Sequence, residues 1–257
     1  ESHVVGRRIR RLLVHDERLR WPVDPKIARA VAGSAIRRAG RRAKYLLLET
    51  EAGTLILHLG MSGSLRVLPV ATPRILHDHV DIELDSGHTL RFNDPRRFGS
   101  LLFTAGDPAL HPLLRSLAPE PLDGDFNADY LYRVTRRRSV AIKLLIMNAR
   151  LVVGVGNIYA SEALFRARIR PRRRARSLSR VECGKLARAI KATLAMAVKT
   201  GGTTLRDYVG ADGNPGYFRQ KLYVYERAGK PCRVCGRPIR QFTQGQRSTY
   251  WCANCQK

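Results

Sequence analysis

The stretch CRVCGRPIRQFTQGQRSTYWCANC, residues 232–255, decides the organisation of the C-terminal part of this chain. It holds two Cys-x-x-Cys pairs, Cys232 with Cys235 and Cys252 with Cys255, separated by 16 residues. Two such pairs let four thiolates converge on one tetrahedral Zn²⁺ ion, and free or redox-active thiols are the alternative. Because four thiolates leave no open coordination position, a zinc ion here is structural rather than catalytic. The spacing therefore predicts a zinc finger, a hairpin held together by its metal.

The predicted finger and the whole chain are strongly basic. Residues 217–257 include nine Lys and Arg and a single acidic residue, Glu226. A two-stranded finger of that charge is typical of a hairpin that grips a nucleic-acid groove, and contacts with another protein are the alternative. The 257 residues carry 47 Lys+Arg against 21 Asp+Glu, a net charge of +26. This charge favours nucleic acid or an anionic membrane surface as partner, although it also serves solubility.

The sequence shows no signal for a membrane or for secretion. No apolar run approaches the ~20 residues that a membrane span needs, and no charged and apolar leader with a cleavage site is visible. We therefore expect a soluble cytoplasmic protein with no membrane partner. The fifth cysteine, Cys183, lies on a predicted helix and is expected in the core.

The hydrophobic pattern changes along the chain. Short strand-like segments occur between residues 41 and 103, with alternation clearest in 80–84, which predicts a β-sandwich or barrel. Residues 25–39 interrupt this pattern and favour a helix. Apolar residues then recur at three- and four-residue steps, which predicts helices at 128–147, 158–167 and 181–199, the last with a capping hydroxyl at 177–179.

A glycine-rich turn, Gly154-Val155-Gly156, precedes the second of these helices. Asn157 is placed to cap that helix, and backbone N–H groups at a helix start beside glycines form a phosphate site. A tight turn that needs glycine for its backbone explains the turn equally well when it is taken alone. Basic clusters nearby favour a surface that follows a nucleic-acid backbone; they are Arg136-Arg137-Arg138, Lys143, Arg150 and the run 170–176.

Two loops between predicted strands suggest contact with stacked bases. One is the Asp-Pro turn Asp94-Pro95-Arg96-Arg97-Phe98-Gly99, and the other is Gly60-Met61-Ser62-Gly63, with an apolar tip. The first loop alone is explained by ordinary hairpin chemistry. Together the loops suggest wedges that enter a base stack while an arginine fills the space left behind.

His77-Asp78-His79 has the superficial appearance of a metal site. No further ligand cluster accompanies it in the sequence. We favour a phosphate contact by His77, or plain turn structure, over a metal.

These motifs, in this order, closely resemble the bacterial formamidopyrimidine-DNA glycosylase family. The resemblance covers residues 6–257 and implies an α+β protein of two domains, an N-terminal β-sandwich followed by a helical domain with a helix–two-turn–helix and a four-cysteine zinc finger. The implied boundaries are 1–118 for the sandwich, 119–216 for the helical part and 217–257 for the finger, with a lid over the lesion at 210–217. The motifs that carry the resemblance are Arg-Arg-Ala-Lys44-Tyr-Leu-Leu-Leu, His58-Leu-Gly-Met-Ser-Gly-Ser-Leu, Asp94 to Gly99, Val152 to Glu162, Asp212 to Phe218, and the finger with Gln246-Arg247.

The resemblance implies a base-excision-repair DNA glycosylase with AP lyase activity. Such an enzyme flips oxidised purines, 8-oxoguanine and formamidopyrimidines, out of duplex DNA, forms a Schiff base at C1′, and cuts by β- and δ-elimination. The implied partner is double-stranded DNA with oxidised bases or abasic sites, and the implied cofactor is one structural Zn²⁺. A bacterial, nucleoid-associated, cytoplasmic monomer is expected.

The resemblance also assigns roles residue by residue. Lys44 is similar to the family's catalytic lysine near the scissile sugar, and Arg247 to the finger arginine that assists phosphate elimination. Lys143 is expected to contact the extruded nucleotide. Met61, Arg96 and Phe98 resemble the triad that fills the void, with Arg96 facing the orphaned cytosine and Phe98 wedging the stack. Contacts with the DNA backbone are expected at His77, Arg97, Arg138, Asn157 and Arg247.

The family's nucleophile is an N-terminal proline, followed by a glutamate that serves as acid, whereas this sequence opens with Glu1-Ser2-His3. An α-amino group suits the attack because its reference pKa is ~8, against ~10.4 for lysine. We expect the family's opening segment to lie outside this sequence, and Glu1 is not its counterpart. The alternatives are a catalytically impaired zinc-finger protein that binds lesions, and an endonuclease VIII-like glycosylase for oxidised pyrimidines. The pair Arg96 and Phe98 and the glycine-rich lid loop favour oxidised purines.

Overall fold

The computed structural model describes residues 3–200 and 222–257. These residues fall into two compact units. Of the described residues, the first unit contains 3–115, and the second contains 116–200 together with 222–257. The expected three-part division at 118/119 and 216/217 stays a prediction.

The first unit is built from two antiparallel four-stranded sheets, as the resemblance implied. One sheet has the strand order β1-β6-β7-β5, and the other has the order β2-β3-β4-β8. One short helix, α1, lies between β1 and β2. The elements are β1 (Ile9–Val14), α1 (Lys26–Val31), β2 (Ile36–Arg42), β3 (Tyr45–Thr50), β4 (Gly53–His58), β5 (Ser64–Pro69), β6 (Asp78–Leu84), β7 (His88–Asn93) and β8 (Ser100–Thr104).

Alternation along β6 explains how the first unit forms its core. Val80, Ile82 and Leu84 are buried in an apolar cluster to which both sheets contribute, and such burial stabilises by about 1.5–3 kcal/mol for each large side chain. The intervening Asp81 and Glu83 are also buried, because arginines from neighbouring strands cover them. Arg91 Nε donates to Asp81 at 2.7 Å, and Arg11 Nε donates to Glu83 at 2.6 Å.

The first unit differs from the sequence analysis in two places. The helix favoured at 25–39 is limited to α1, because Gly33 turns the chain with a φ of +77° and residues from Ile36 onward pair with β3. Strand β1 was not predicted. Its sequence IRRLLV does not alternate, yet it pairs with β6 through Ile9–Leu84 and Leu12–Ile82.

The second unit contains four helices and the finger hairpin among its described residues. Its elements are α2 (Ala128–Thr135), α3 (Ile142–Ile146), α4 (Asn157–Arg166), α5 (Arg180–Lys199), β9 (Arg240–Gln244) and β10 (Arg247–Trp251). Cys183 is buried in the helical core with its Sγ 3.8 Å from Thr135 Oγ1. No helix within 3–200 or 222–257 is long and apolar enough to cross a bilayer.

The single helix predicted at 128–147 is wrong, because the structure breaks it into α2 and α3. Arg136 leaves the helical conformation with a ψ of 148°, and Arg137 follows with a left-handed φ of +58°, so the helix cannot continue. The chain then runs extended, and Ala141 forms a bridge with Arg174. Ile142 N donates to Arg173 O at 2.8 Å, so a distant segment satisfies the start of α3.

Helix α5 begins where its sequence predicts. Ser179 accepts a hydrogen bond from Glu182 N at 3.2 Å, and Glu182 Oε2 accepts one from Ser179 N at 2.8 Å, which completes a capping box. Arg173 forms a two-pronged ion pair with Glu182. That guanidinium, together with the cap, lowers the pKa of Glu182 to about 2.

We expect Ser179→Ala to lower the free energy of unfolding by about 1 kcal/mol, because it leaves the N–H of Glu182 without its acceptor. Urea denaturation followed by circular dichroism measures this. Ser139→Ala, at an exposed loop position, is the control and should change stability by less than about 0.5 kcal/mol. Equal effects of the two variants would contradict the importance of the cap.

Candidate functional site

Two loops of the first unit present an exposed apolar tip. Met61 is 56% exposed and Phe98 is 45% exposed, which is unusual for large apolar side chains. The guanidinium carbon of Arg96 lies 5.1 Å from the centre of the Phe98 ring, so these two side chains stack on each other. The structure therefore places the three predicted void-filling residues on adjoining loops.

The two loops adjoin because Gly60 lets their backbones touch. Gly60 has a φ of +65°, and a Cβ atom built on it would lie 2.6 Å from the carbonyl carbon of Phe98 and 2.6 Å from Gly99 N. No side chain fits in that space, and the left-handed backbone also favours glycine. The Met61 loop therefore lies directly against the backbone that carries Phe98.

A buried carboxylate joins the same two loops. Asp94 is 0% exposed. Its Oδ1 accepts from Ser62 Oγ at 2.7 Å, and its Oδ2 accepts from Gly99 N at 2.7 Å. The sequence analysis placed Asp94 in a turn and missed this link, because Ser62 is 32 residues away.

Lys44 lies exposed at the turn between β2 and β3, directly after Ala43, whose φ is +53°. His58 is its neighbour, with its ring 4.9 Å from the ring of Tyr45. Burial, together with the charges of Lys44 and Arg20, lowers the pKa of His58 to about 4. The imidazole is thus neutral at physiological pH, and its Nδ1 accepts from Gly60 N at 2.9 Å. His58 thus holds the Met61 loop through Gly60 and lies close enough to Lys44 for the two charges to interact when the imidazole is protonated.

His77 and Arg97 both have left-handed backbones, with φ values of +71° and +56°. Asp94 N donates to His77 O at 3.1 Å, so His77 is attached to the same turn as the tip. Arg97 Nη2 donates to Asp16 Oδ2 at 2.8 Å. The side chains of the two following residues have partners within the protein. Asp78 accepts from Arg66 at 3.1 Å, and His79 Nε2 lies 2.9 Å from the carbonyl oxygen of Asp94.

In the second unit, the structure brings Asn157 and Arg247 to one place around Lys143. The expectation that Asn157 caps α4 is wrong, because Gly156 occupies the cap position and Asn157 is the first helical residue. Its side chain points elsewhere: its Oδ1 accepts from Lys143 Nζ at 2.6 Å, and its Nδ2 donates to Ser248 O at 3.0 Å. Ser248 directly follows Arg247, which begins β10 after a turn in which Gln246 has a φ of +57°.

Lys143 is 0% exposed, whereas the sequence analysis expected a contact with an extruded nucleotide. Its ammonium donates to Asn157 Oδ1, to Thr249 Oγ1 at 2.7 Å and to Ser248 O at 3.2 Å, which uses all three N–H bonds. Burial lowers the pKa of Lys143 to about 8, and the charge of Arg247 contributes in the same direction. Lys143 therefore lies beneath the site and holds Asn157 and β10 together.

Glu162 is a second buried anchor that the sequence analysis missed. It is 1% exposed on α4. Its carboxylate accepts from the backbone N–H groups of Tyr223, Val224 and Tyr225, all at 2.9–3.0 Å. The chain segment that leads into the finger is thereby fixed to the helix that begins with Asn157. Glutamate inside an apolar helical stretch was the available signal.

Arg138 lies exposed just after the end of α2. Its Nη1 donates to Val134 O at 2.9 Å. The lid expected at 210–217 lies outside the described residues.

The four predicted zinc ligands converge. The Sγ atoms of Cys232, Cys235, Cys252 and Cys255 all lie within 4.8 Å of one another. Val234 N lies 3.5 Å from Cys232 Sγ, an N–H donor of the kind that supports a thiolate ligand. Four thiolates at such separations fit a tetrahedral Zn²⁺ ion, so the cofactor of this finger is one structural zinc.

Comparisons with known proteins extend over the whole chain. Residues 1–101 match the model of the formamidopyrimidine-DNA glycosylase N-terminal domain, 117–209 that of the formamidopyrimidine-DNA glycosylase H2TH domain, and 229–257 that of the zinc finger found in FPG and IleRS. A formamidopyrimidine-DNA glycosylase of Thioalkalivibrio sulfidiphilus is 55% identical over 257 residues, 100% of this chain and 95% of that protein. Its counterpart from Stutzerimonas stutzeri is 54% identical over the same share of both chains.

Solved structures show the same similarity. The crystal structure of the Fpg protein from Thermus thermophilus is 38% identical with a TM-score of 0.88, covering 99% of this chain and 93% of that one. The Lactococcus lactis Fpg in complex with DNA containing an abasic site is 29% identical with a TM-score of 0.89, covering 100% and 95%.

The lowered pKa of Lys143 predicts a specific dependence of stability on pH. Between about pH 8 and 10.5 the unfolded chain keeps the proton that the folded chain loses, so the free energy of unfolding rises with pH. Relative to Lys143→Met, the unsubstituted protein should gain about 2 kcal/mol between pH 7.5 and 9.5. Urea denaturation at both values measures this. Lys185→Met, at an exposed position of α5, should keep the pH dependence of the unsubstituted protein. The same change in stability for Lys143→Met and the unsubstituted protein would contradict the burial argument.

Loss of the metal should disorganise the finger. We expect Cys252→Ser to reduce the zinc content below one ion per chain and to shift the fluorescence of Trp251, because Cys252 links β10 to the other ligands. Metal analysis and tryptophan emission measure the two effects. Cys183→Ala should retain one zinc, and its loss there too would mean that overall unfolding, rather than the ligand set, releases the ion.

Proposed function

The chain belongs to the formamidopyrimidine-DNA glycosylase family and is a base-excision DNA glycosylase for oxidised purines, and we propose that its described residues divide the work between a wedge and a phosphate site. The wedge is formed by Met61, Arg96 and Phe98. The phosphate site includes Asn157 and Arg247. The partner is duplex DNA that contains an oxidised base or an abasic site.

The observation that carries this proposal is the joined pair of loops. An enzyme that acts on C1′ under a stacked base must extrude the nucleotide, at a cost of about a few kcal/mol. Exposed Met61 and Phe98 can enter the stack and offset that cost with apolar contact. Arg96, stacked on Phe98, supplies hydrogen-bond donors for the base that is left unpaired. The link through Asp94 keeps these side chains in place before DNA arrives.

Lys44 is proposed to act beside the scissile sugar. Its exposed ammonium has the neutral His58 as neighbour. A neutral imidazole adds no positive charge, so it does not weaken the attraction between the ammonium and the phosphate next to the extruded nucleotide. In the proposed first step an amine forms a bond to C1′ as the bond from C1′ to the base breaks. Lys44 is not proposed as that amine.

Arg247 is proposed to assist strand cleavage. In β-elimination a proton leaves C2′ as the bond to the 3′ phosphate breaks, and negative charge develops on the departing phosphate. A guanidinium next to that oxygen stabilises the charge. Lys143 and Asn157 fix the start of β10 through Ser248, and so position Arg247.

The remaining assignments concern binding and location. His77, Arg97 and Arg138 are proposed to contact phosphates, which makes the affinity depend on salt concentration. The proposed domain limits are 1–118, 119–216 and 217–257, and the proposed lid over the lesion is 210–217. We further propose a monomer that acts on nucleoid DNA in the bacterial cytoplasm.

The activity is tested with duplexes that carry 8-oxoguanine opposite cytosine, thymine glycol opposite adenine, or no lesion. We expect release of 8-oxoguanine and cutting on both sides of the resulting abasic sugar, with borohydride trapping a covalent complex. Binding of the lesion without base release would mean a catalytically impaired lesion-binding protein. Faster release of thymine glycol would indicate an enzyme for oxidised pyrimidines.

Phe98→Ala should lower kcat/KM for 8-oxoguanine release at least tenfold, because the stack closes on the empty wedge position. Affinity for undamaged duplex should change less than twofold. Single-turnover release and fluorescence anisotropy measure the two quantities. Leu110→Ala, which also removes an exposed apolar side chain from the first unit, is the matched control. Equal losses in lesion and undamaged binding would remove the wedge role from Phe98.

A further inference from the structure

The carboxylate of Asp16, in the first unit, holds Arg18 and Arg97 side by side. Asp16 follows β1, in a segment whose backbone forms hydrogen bonds with β6 and with the turn before β8. His15 N donates to His79 O at 2.8 Å, and Arg20 N donates to Gly99 O at 3.0 Å. Asp16 therefore lies beside the turn that carries Arg96, Arg97 and Phe98.

The Asp16 carboxylate is saturated by these arginines. Its Oδ1 accepts from the backbone N of Arg18 at 3.0 Å and from Arg18 Nε at 2.9 Å. Its Oδ2 accepts from Arg18 Nη2 at 2.9 Å and from Arg97 Nη2 at 2.8 Å. These hydrogen bonds, those from Arg18 above all, hold the pKa of Asp16 well below its usual range. The carboxylate is thus charged at any physiological pH and keeps both guanidinium groups oriented.

Arg97 occupies a strained backbone position that would favour glycine, yet its side chain makes a specific contact there. A left-handed φ of +56° costs a non-glycine residue about 1–2 kcal/mol, and glycine would avoid that cost. Arg97 retains its side chain there and directs it to Asp16, while Arg96 and Phe98 on either side stack on each other. The turn therefore separates a stacking pair from a charged side chain.

Both arginines keep donors available for a further anion. The side chain of Arg18 is 70% exposed, that of Arg97 is 36% exposed, and that of Asp16 is 22% exposed. Within 3–200 and 222–257, neither arginine uses its Nη1 in a hydrogen bond. Two guanidinium groups on one carboxylate leave one net positive charge, and the nearby Glu17 is exposed to solvent. Planar donors held at a fixed spacing match the non-bridging oxygens of a phosphodiester.

We propose that Arg18 and Arg97 form a clamp for a DNA backbone phosphate next to the wedge, and that Asp16 is the residue that positions both. This inference rests on the proposed function only in taking duplex DNA as the ligand. Arg18 is the newly proposed binding residue, and Arg97 supplies the second guanidinium group. Asp16 acts through them and contacts no DNA itself.

The test for Arg18 is the salt dependence of binding to undamaged duplex, measured by fluorescence anisotropy between 50 and 300 mM salt. Arg18→Gln should weaken binding about five- to tenfold at the lowest salt concentration and reduce the slope of log Kd against log salt by about one. Arg10→Gln, which removes the same charge from an exposed position on β1, is the matched control. An Arg18→Gln slope equal to that of the control would overturn the clamp.

The test for Asp16 turns on the sign of the change. Asp16→Asn raises the net charge of the protein by one, so charge alone predicts tighter binding. A positioning role predicts binding at least threefold weaker, because the amide cannot hold two guanidinium groups. Tighter binding would mean that Asp16 shields Arg97 and would overturn the positioning role.

A double variant separates positioning from general damage. Asp16→Asn should add less than a twofold loss in the Arg18→Gln background, because both changes disrupt the same clamp. Fully multiplicative losses would contradict that coupling. Base release from the 8-oxoguanine duplex is measured in parallel: absent release by the unsubstituted protein would refute the proposed function while the salt slopes still decide the clamp.

Discussion

The contact on which the functional tip of the first unit depends is the buried carboxylate of Asp94. A charge without access to water is tolerated only when hydrogen bonds satisfy it, and here Ser62 and Gly99 supply them from two different loops. Satisfying the carboxylate and joining the loops are thus one event. Met61 and Phe98 can remain exposed because the loops beneath them do not need apolar burial to stay in place.

The second unit also buries charged side chains whose hydrogen bonds are satisfied, one of them a cation and the other an anion. Lys143 is a buried cation whose three donors all have neutral acceptors, and Glu162 is a buried anion that accepts from three backbone N–H groups. The two contacts fix α4 to β10 and to the segment before the finger. The zinc ion organises the finger internally, whereas these two side chains attach it to the helices.

A chain with a net charge of +26 must also keep its arginines from repelling each other. Several of its acidic residues form specific pairs with arginines, such as Asp81 with Arg91 and Glu182 with Arg173. The first pair is buried and the second is partly buried, and in both the carboxylate fixes the orientation of its guanidinium group. Among residues 3–200 and 222–257, Arg96 and Arg247 form no ion pair, which agrees with their proposed contacts with DNA.

The sequence by itself determined the features that depend on near neighbours. The cysteine spacing is sufficient to place four zinc ligands, the alternation in 80–84 predicts a strand, and the hydroxyl before α5 predicts its cap, because each involves groups a few residues apart or a repeating period. Family resemblance then identified the fold and led to the proposed wedge. Only the tertiary structure decided the partners of buried polar groups. The side chain of Asn157 bonds to Ser248, 91 residues away along the chain, instead of capping its helix. Lys143 is a buried anchor because it bonds to Thr249, 106 residues away. The clamp of Arg18 and Arg97 likewise forms only when folding brings Asp16 across 81 residues to meet the turn. Such contacts follow from the packing of whole elements, and no local pattern in the sequence encodes them.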